Sequence, residues 1–213
     1  MDLLTYATEP VRAAGQLLQQ RADAPQQARR KGPRDYVTDA DLASQALMVE
    51  RLHHRFPHHA IWGEEGERPE RQDGPTWVID PLDGTTNYTR HLPVYAVTLA
   101  LVEGGQVQLG VIYAPSLDEM FTAQRGKGAW LNGQPLRCSR QTDLSEAIVG
   151  IDWALTPTQR TEALRAVRAI GEQVRTLRSL GSAALCFAYV AAGRLDAHIT
   201  MSTWPWDVLA ASL

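Results

Sequence analysis

Asp80-Pro-Leu-Asp-Gly-Thr-Thr-Asn87 places two carboxylates, a glycine and a run of hydroxyl and amide side chains directly after the apolar stretch Trp77-Val-Ile79. Oxygen donors of this kind suit a hard divalent cation such as Mg²⁺, which takes one or two carboxylates and completes its shell with water and phosphate. The run from Thr76 to Ile79 predicts a short buried strand. Pro81 is expected to stop its pairing, leaving Asp80 and Asp83 at the carboxyl end, where open α/β sheets collect ligands. Gly84 would let the backbone approach an anion, while Thr85 and Thr86 supply donors. Pro, Asp, Gly and Asn are also the residues of ordinary type I and II turns, so the motif alone supports a turn as well as a site.

Two further segments favour the site. Gly63-Glu64-Glu65-Gly66 follows Ala60-Ile61-Trp62, another short apolar run ending in acids, and Trp206-Asp207 precedes the apolar residues 208–213. Acidic element termini far apart in sequence are what a multi-metal oxygen site requires.

On these residues the chain resembles the inositol monophosphatase family of magnesium-dependent, lithium-sensitive phosphatases. Residues 80–87 resemble the family's first motif, Trp206-Asp207-Val-Leu-Ala-Ala211 its second, and Gly63-Glu64-Glu65 stands upstream in the expected order. Asp35-Tyr-Val-Thr-Asp-Ala-Asp41 and Gly181-Ser-Ala-Ala184 extend the likeness over nearly the whole chain. The resemblance implies an α+β part (1–150) with an antiparallel sheet and most of the ligands, then an α/β part (151–213), joined as stacked alternating layers of helix and sheet. Family members continue past the second motif, so the C-terminal part is expected to be truncated relative to them.

The resemblance also implies roles. Glu64, Asp80, the Leu82 carbonyl and Thr85 would surround a first Mg²⁺. Asp80, Asp83 and Asp207 would surround a second, and a third, weaker ion would lean on Glu64. Glu64, Thr85 and Asp41 would activate and aim the attacking water. Gly84, Thr85, Gly181, Ser182, Ala183 and Asp207 would meet the substrate, a small phosphate ester such as inositol 1-phosphate. Thr200 falls where inositol-phosphate-hydrolysing relatives carry a glutamate. Histidinol phosphate, fructose bisphosphate, NADP and 3′-phosphoadenosine nucleotides therefore stay open, as does a non-catalytic partnership with the transcription machinery. A homodimer is implied in the same way.

The elements that must position these residues are legible in periodicity. Leu3, Leu4, Ala7, Val11, Ala14, Leu17 and Leu18 predict an amphipathic first helix. Thr38 with Asp41 forms a capping-box start for a second helix running toward His53. Between them, Arg29-Arg-Lys-Gly-Pro-Arg34 is expected to be a loop, either solvated or drawing in phosphorylated substrate. Residues 98–102, 107–113 and 120–123 predict antiparallel hairpins. Beyond Thr158 a helix, a strand over 174–177, a helix over 183–191 ended by Gly193 and a strand over 195–199 lead to Trp206.

With 213 residues, 44% of them hydrophobic, the chain can bury a core without staples, and a net charge of −3 with a pI near 6.1 argues against nucleic-acid or anionic-membrane binding. Cys138 and Cys186 lack any Cys-x-x-Cys spacing and predict free thiols in a cytoplasmic protein, and neither a signal peptide nor a membrane span is expected.

Several residues have plainer alternatives. Asp41 could only cap its helix, Asp207 could be an N-cap, Glu65 is expected to face solvent or else to hold metal-bound water, and Asp39 is a helix-terminal acid. Gly181, Ser182 and Ala183 need no ligand to explain them. His53, His54, His58 and His59 fit a solvated helix end better than a transition-metal site. Gly126-Lys-Gly128 fits a hairpin turn, and Trp62, Trp77, Trp130 and Trp153 are expected in the core or at sheet edges.

Overall fold

The computed structural model describes residues 2–24, 27–32, 34–69 and 74–213. In chain order the elements are α1 (Leu3–Arg21), β1 (Ala28–Gly32), β2 (Asp35–Thr38), α2 (Asp39–Arg55), β3 (Ala60–Gly63), β4 (Thr76–Asp83), α3 (Thr85–Thr89), β5 (Ala96–Glu103), β6 (Gln106–Ala114), β7 (Glu119–Gln124), β8 (Gly128–Leu131) and β9 (Gln134–Pro135). They continue with β10 (Ile148–Ile151), α4 (Pro157–Ile170), β11 (Thr176–Arg178), α5 (Ala183–Ala191), β12 (Ala197–Ile199) and α6 (Pro205–Val208), followed by a 3₁₀ turn, Leu209–Ala211.

Strands β3 to β9 form one seven-stranded sheet in sequence order, antiparallel except for the parallel β3–β4 pair. One face receives α1 and α2. Val11, Leu18, Met48 and Leu52 pack there against Trp77, Ile79, Leu99 and Val111. The other face receives α5 and the 3₁₀ turn, which cover Val78, Ala100, Ile112 and Phe121 with Leu185, Ala188 and Ala210. Alternation along β4 therefore puts Trp77 and Ile79 on one core and Val78 on the other. A strand buried on both faces reads as a continuous apolar run, which is why residues 77–79 show no period of two.

The second sheet is parallel, in the order β11-β10-β12. Val149 packs with Ile170 of α4, Val174, Leu177 and Ile199. Gly150 and its partner His198 point to the opposite face, toward α5, where Phe187 meets the His198 ring edge-on at 4.9 Å. The result is alternating helix and sheet layers: α1 and α2, the large sheet, α5 with the terminal turn, the small sheet, and α4. The expected division at 150/151 runs through β10, and α5 serves both sheets. Both halves thus share their cores.

Two local expectations need correction. The stretch from Arg29 is not a loop: β1 and β2 pair as a hairpin from Ala28↔Thr38 to Gly32↔Asp35. Pro33, on which the loop reading rested, lies outside the described residues. Nor does Pro81 end strand pairing. β4 pairs with β5 at Asp80↔Thr98 and again at Asp83↔Ala96, so β4 holds one extra residue there. This is a bulge, a place where a ladder tolerates proline. Ser44 of α2 donates to the Pro81 carbonyl at 2.7 Å and satisfies it.

Candidate active site

The bulge decides where the carboxylates point. Residues three apart on a regular strand face opposite sides, but one inserted residue restores parity and sets Asp80 and Asp83 on the same face. Gly84 follows at φ +91°, a conformation that suits glycine, and a Cβ there would lie 3.0 Å from the Val94 carbonyl oxygen. It turns the chain into α3, where Thr85 stands first.

From there the residues converge. Glu64 beyond β3, Asp80, Leu82, Asp83, Gly84, Thr85, Gly181, Ala183 and Asp207 of α6 line a single crevice of about 520 Å³ between the two sheets. Asp41 and Ser182 stand behind this lining, both buried. Thr85 Oγ1 lies 3.1 Å from Asp41 Oδ1 and 3.1 Å from the Leu82 carbonyl oxygen. Asp41 also completes the expected capping box, accepting from the Thr38 amide at 2.8 Å and from the Thr38 hydroxyl. It caps its helix and reaches the crevice through Thr85 at once.

Asp83 accepts from the Ser182 hydroxyl, from the Ala184 amide at 3.0 Å and from the Ala183 amide at 3.2 Å. It sits at the positive end of α5, which places Gly181, at φ +76°, on the crevice wall. Asn87 fixes that wall by donating to both Val94 and Leu180 carbonyls, at 2.6 and 2.7 Å. Asp207 is not an N-cap. It is the third residue of α6 and accepts from the Trp204 amide at 2.8 Å.

Electrostatically the cluster is under load. Burial pushes the Asp80 carboxyl well above the ordinary range, and the neighbouring Glu64, Asp83 and Asp207 charges push it further. Burial also takes Asp83 up to about 6, against the hydrogen bonds from Ser182 and Ala184. Asp207 rises to about 7, by burial first and then by Asp83 and Glu64, the Trp204 amide opposing. Carboxylates crowded out of water in this way are what a divalent cation relieves, and an all-oxygen donor set suits Mg²⁺. The residues fit the ion the family uses. They are not drawn tight: among the described residues, the one trio of potential ligands with atoms all within 4.8 Å of one another is Asp152, Cys186 and His198, outside this set.

Sequence reasoning missed part of the site. Lys31 reaches from the β1–β2 hairpin to Glu64 and Glu65, 2.6 Å from each. Burial works against its charge, but the two carboxylates more than reverse this and hold its pKa above the usual lysine value. Glu65, expected in solvent, keeps a side chain only 6% exposed. Arg34, Asp152, Trp153, Arg160 and Trp204 also line the crevice. Trp153, expected in the core or at a sheet edge, is 49% exposed there, whereas Trp77 is fully buried. The histidine cluster stays structural: His59 stacks on Phe56 at 4.8 Å, and His53, His54 and His58 are exposed at the end of α2 and just beyond it.

Layers of this order around a carboxylate crevice at a strand's carboxyl end are the build of a metal-dependent phosphatase. The sequence profile of the inositol monophosphatase family matches residues 2–213, and the chain belongs to that family. It is 38% identical to Nus factor SuhB of Escherichia coli strain K12, over 99% of this chain and 80% of that protein. It is 36% identical to the fructose-1,6-bisphosphatase/inositol-1-monophosphatase of Thermotoga maritima, over 99% and 80%. Among solved structures, extragenic suppressor protein suhB from Bartonella henselae superposes with a TM-score of 0.94 at 33% identity, covering 98% of this chain and 82% of that one. The protein is accordingly a phosphoric monoester hydrolase of the inositol monophosphatase type. Among the described residues no helix is long and apolar enough to cross a membrane.

Proposed function

We propose that the chain hydrolyses a small phosphate monoester, inositol 1-phosphate foremost, to the alcohol and inorganic phosphate as a cytoplasmic enzyme. Glu64, Asp80, Asp83, Asp207 and the Leu82 carbonyl hold two or three Mg²⁺ ions in this reading. The observation that carries it is the crevice that receives all five groups and has Thr85 in its wall, with Asp41 bonded to it from behind. Bound Mg²⁺ supplies Lewis acidity and charge neutralisation for attack of water on phosphorus. The chain's own residues do the rest. Asp41 accepts the Thr85 proton, which turns the Thr85 lone pairs toward water and orients it, and Glu64 takes up the proton released. The Gly84 and Thr85 amides face the phosphate, and Gly181, Ala183 and Asp207 form the wall on the alcohol side, with Ser182 behind it bonded to Asp83. Arg34 and Arg160, anchored on the Leu155 and Ala154 carbonyls at 2.9 and 2.8 Å, give the rim positive charge that draws in a dianion.

Phosphate release from inositol 1-phosphate, histidinol phosphate, fructose bisphosphate and 3′-phosphoadenosine phosphate, with Mg²⁺ and then with added Li⁺, tests the reading. Inositol 1-phosphate turnover that needs Mg²⁺ and falls with Li⁺ supports it. Failure to turn over any ester overturns it, and preference for another ester moves the substrate but not the site. A homodimer belongs to the same proposal and is checked by light scattering.

The relatives named Nus factor SuhB favour a second role, as a partner of the transcription machinery. Asp83→Asn separates the two: it abolishes phosphate release, and a cellular phenotype that survives it belongs to partnering.

A further inference from the structure

Asp152 at the end of β10, Cys186 in the first turn of α5 and His198 in β12 present a carboxylate oxygen, a thiol sulfur and an imidazole nitrogen, all within 4.8 Å of one another. None of the three belongs to the oxygen set described above. We infer that they form a second metal site, for a thiolate- and imidazole-binding divalent ion such as Zn²⁺, which ties the small sheet to α5.

The donor chemistry selects the ion. Oxygen ligands suit Mg²⁺, whereas a mixed sulfur, nitrogen and oxygen set suits Zn²⁺ and its cobalt analogue. Tetrahedral zinc with ordinary bond lengths needs its ligand atoms about 3.3 to 3.7 Å apart, so small side-chain rotations from the present spacing close the site. His198 Nε2 already lies 3.0 Å from Asp152 Oδ2, and the His198 side chain is only 1% exposed. Its Nδ1 is buried with no hydrogen-bond partner. The ring proton therefore lies on Nε2, donated to Asp152, and moves to Nδ1 when Nε2 gives its lone pair to a metal. The ring is seated by Gly150, where a Cβ would lie 2.7 Å from Nδ1. Burial pushes the Cys186 thiol up to about 12, so it stays protonated without metal and releases its proton on binding. Asp152 lines the crevice, and a fourth position is therefore open to water on that side.

The ion would join three elements, β10, β12 and α5. It would fasten β10 and β12 to the helix whose N-terminus holds Asp83. Its effect is on stability and on the position of α5.

Cobalt titration of the full chain, with excess Mg²⁺ filling the carboxylate crevice, tests this. One Co²⁺ per chain should bind with a thiolate-to-cobalt charge-transfer band, retained in Cys138→Ser and lost in Cys186→Ser and His198→Gln. Zn²⁺ should displace the cobalt and raise Tm. Asp152→Asn, whose carboxyl reaches the crevice surface, should keep the fold and weaken Co²⁺ binding on the order of tenfold or more. This variant decides the matter if the two buried substitutions prevent folding. Absence of the band in the native protein, its survival in Cys186→Ser, or unchanged affinity in Asp152→Asn overturns the inference.

Discussion

Replacing Asp207 by Asn should make the metal-free protein more stable while destroying its activity. Asp207 has its carboxyl pKa raised from 3.8 to about 7, by burial first, with the nearby Asp83 and Glu64 charges adding to it. The native state therefore binds more protons than the unfolded chain between those two values. Stability falls as pH rises through that window, and the whole penalty is present above pH 7. Three pH units correspond to about 4 kcal/mol, and solvent reaching the crevice brings the expected figure to roughly 2 to 4 kcal/mol. Asparagine keeps an oxygen for the Trp204 amide and carries no charge. In EDTA at pH 8 the variant should melt roughly 5 to 15 °C above the unmodified protein, a gain that vanishes near pH 4. Saturating Mg²⁺ should reverse the order, since a ligand at a hundred times its Kd stabilises by about 2.7 kcal/mol and the variant has lost a carboxylate for it. Scanning calorimetry at both pH values, with and without Mg²⁺, reads all four states. A variant less stable than the unmodified protein at pH 8 in EDTA, or stabilised equally at pH 4, would refute the picture of a strained acidic cluster awaiting cations.

Thr85→Ala and Asp41→Asn should each lower kcat by about two to four orders of magnitude while leaving the circular dichroism native, because they remove one hydrogen-bonded pair that aims water. Half-saturation by Mg²⁺ should move much less in Asp41→Asn than in Asp83→Asn, measured by the rise of Tm with Mg²⁺ concentration. Lys31→Met should lower the Mg²⁺ concentration needed, since its ammonium occupies Glu64 and Glu65; a higher requirement would show that Lys31 holds Glu64 in place for the ion. Gly84→Ala should cost about 1 to 3 kcal/mol in urea unfolding, from the positive φ and the Val94 carbonyl against the new Cβ.

Helices α1 and α2 were readable because their apolar residues repeat at helical spacing and Thr38 with Asp41 spells a capping box. The antiparallel run of β5 to β8 was readable because Gly104-Gly105 and Gly126-Lys-Gly128 punctuate apolar strands. The acids at 64, 80, 83 and 207 were readable because each follows or precedes such a run, and the crevice gathers all four. The β1–β2 hairpin was not, because Ala28–Gly32 is almost wholly exposed and carries no apolar alternation. The pairing of Lys31 with Glu65 went unnoticed because it spans β1 and the turn after β3, a contact no local pattern records. Trp153 and Arg160 reach the crevice only because β10 pairs in parallel with β11 and β12, and pairing of that range is decided by the whole fold.

The extra residue in β4 leaves two backbone carbonyls between Asp80 and Asp83, that of Pro81 met by Ser44 and that of Leu82 met by Thr85. A substitution at Pro81 or Leu82 alters packing locally. Deleting either one would turn the bulge into a regular ladder with Asp83 still opposite Ala96, but it would take away the carbonyl that Ser44 or Thr85 meets there. Side chains can be exchanged across the segment with both carbonyls kept, whereas a shortened backbone keeps the pairing and loses one of them.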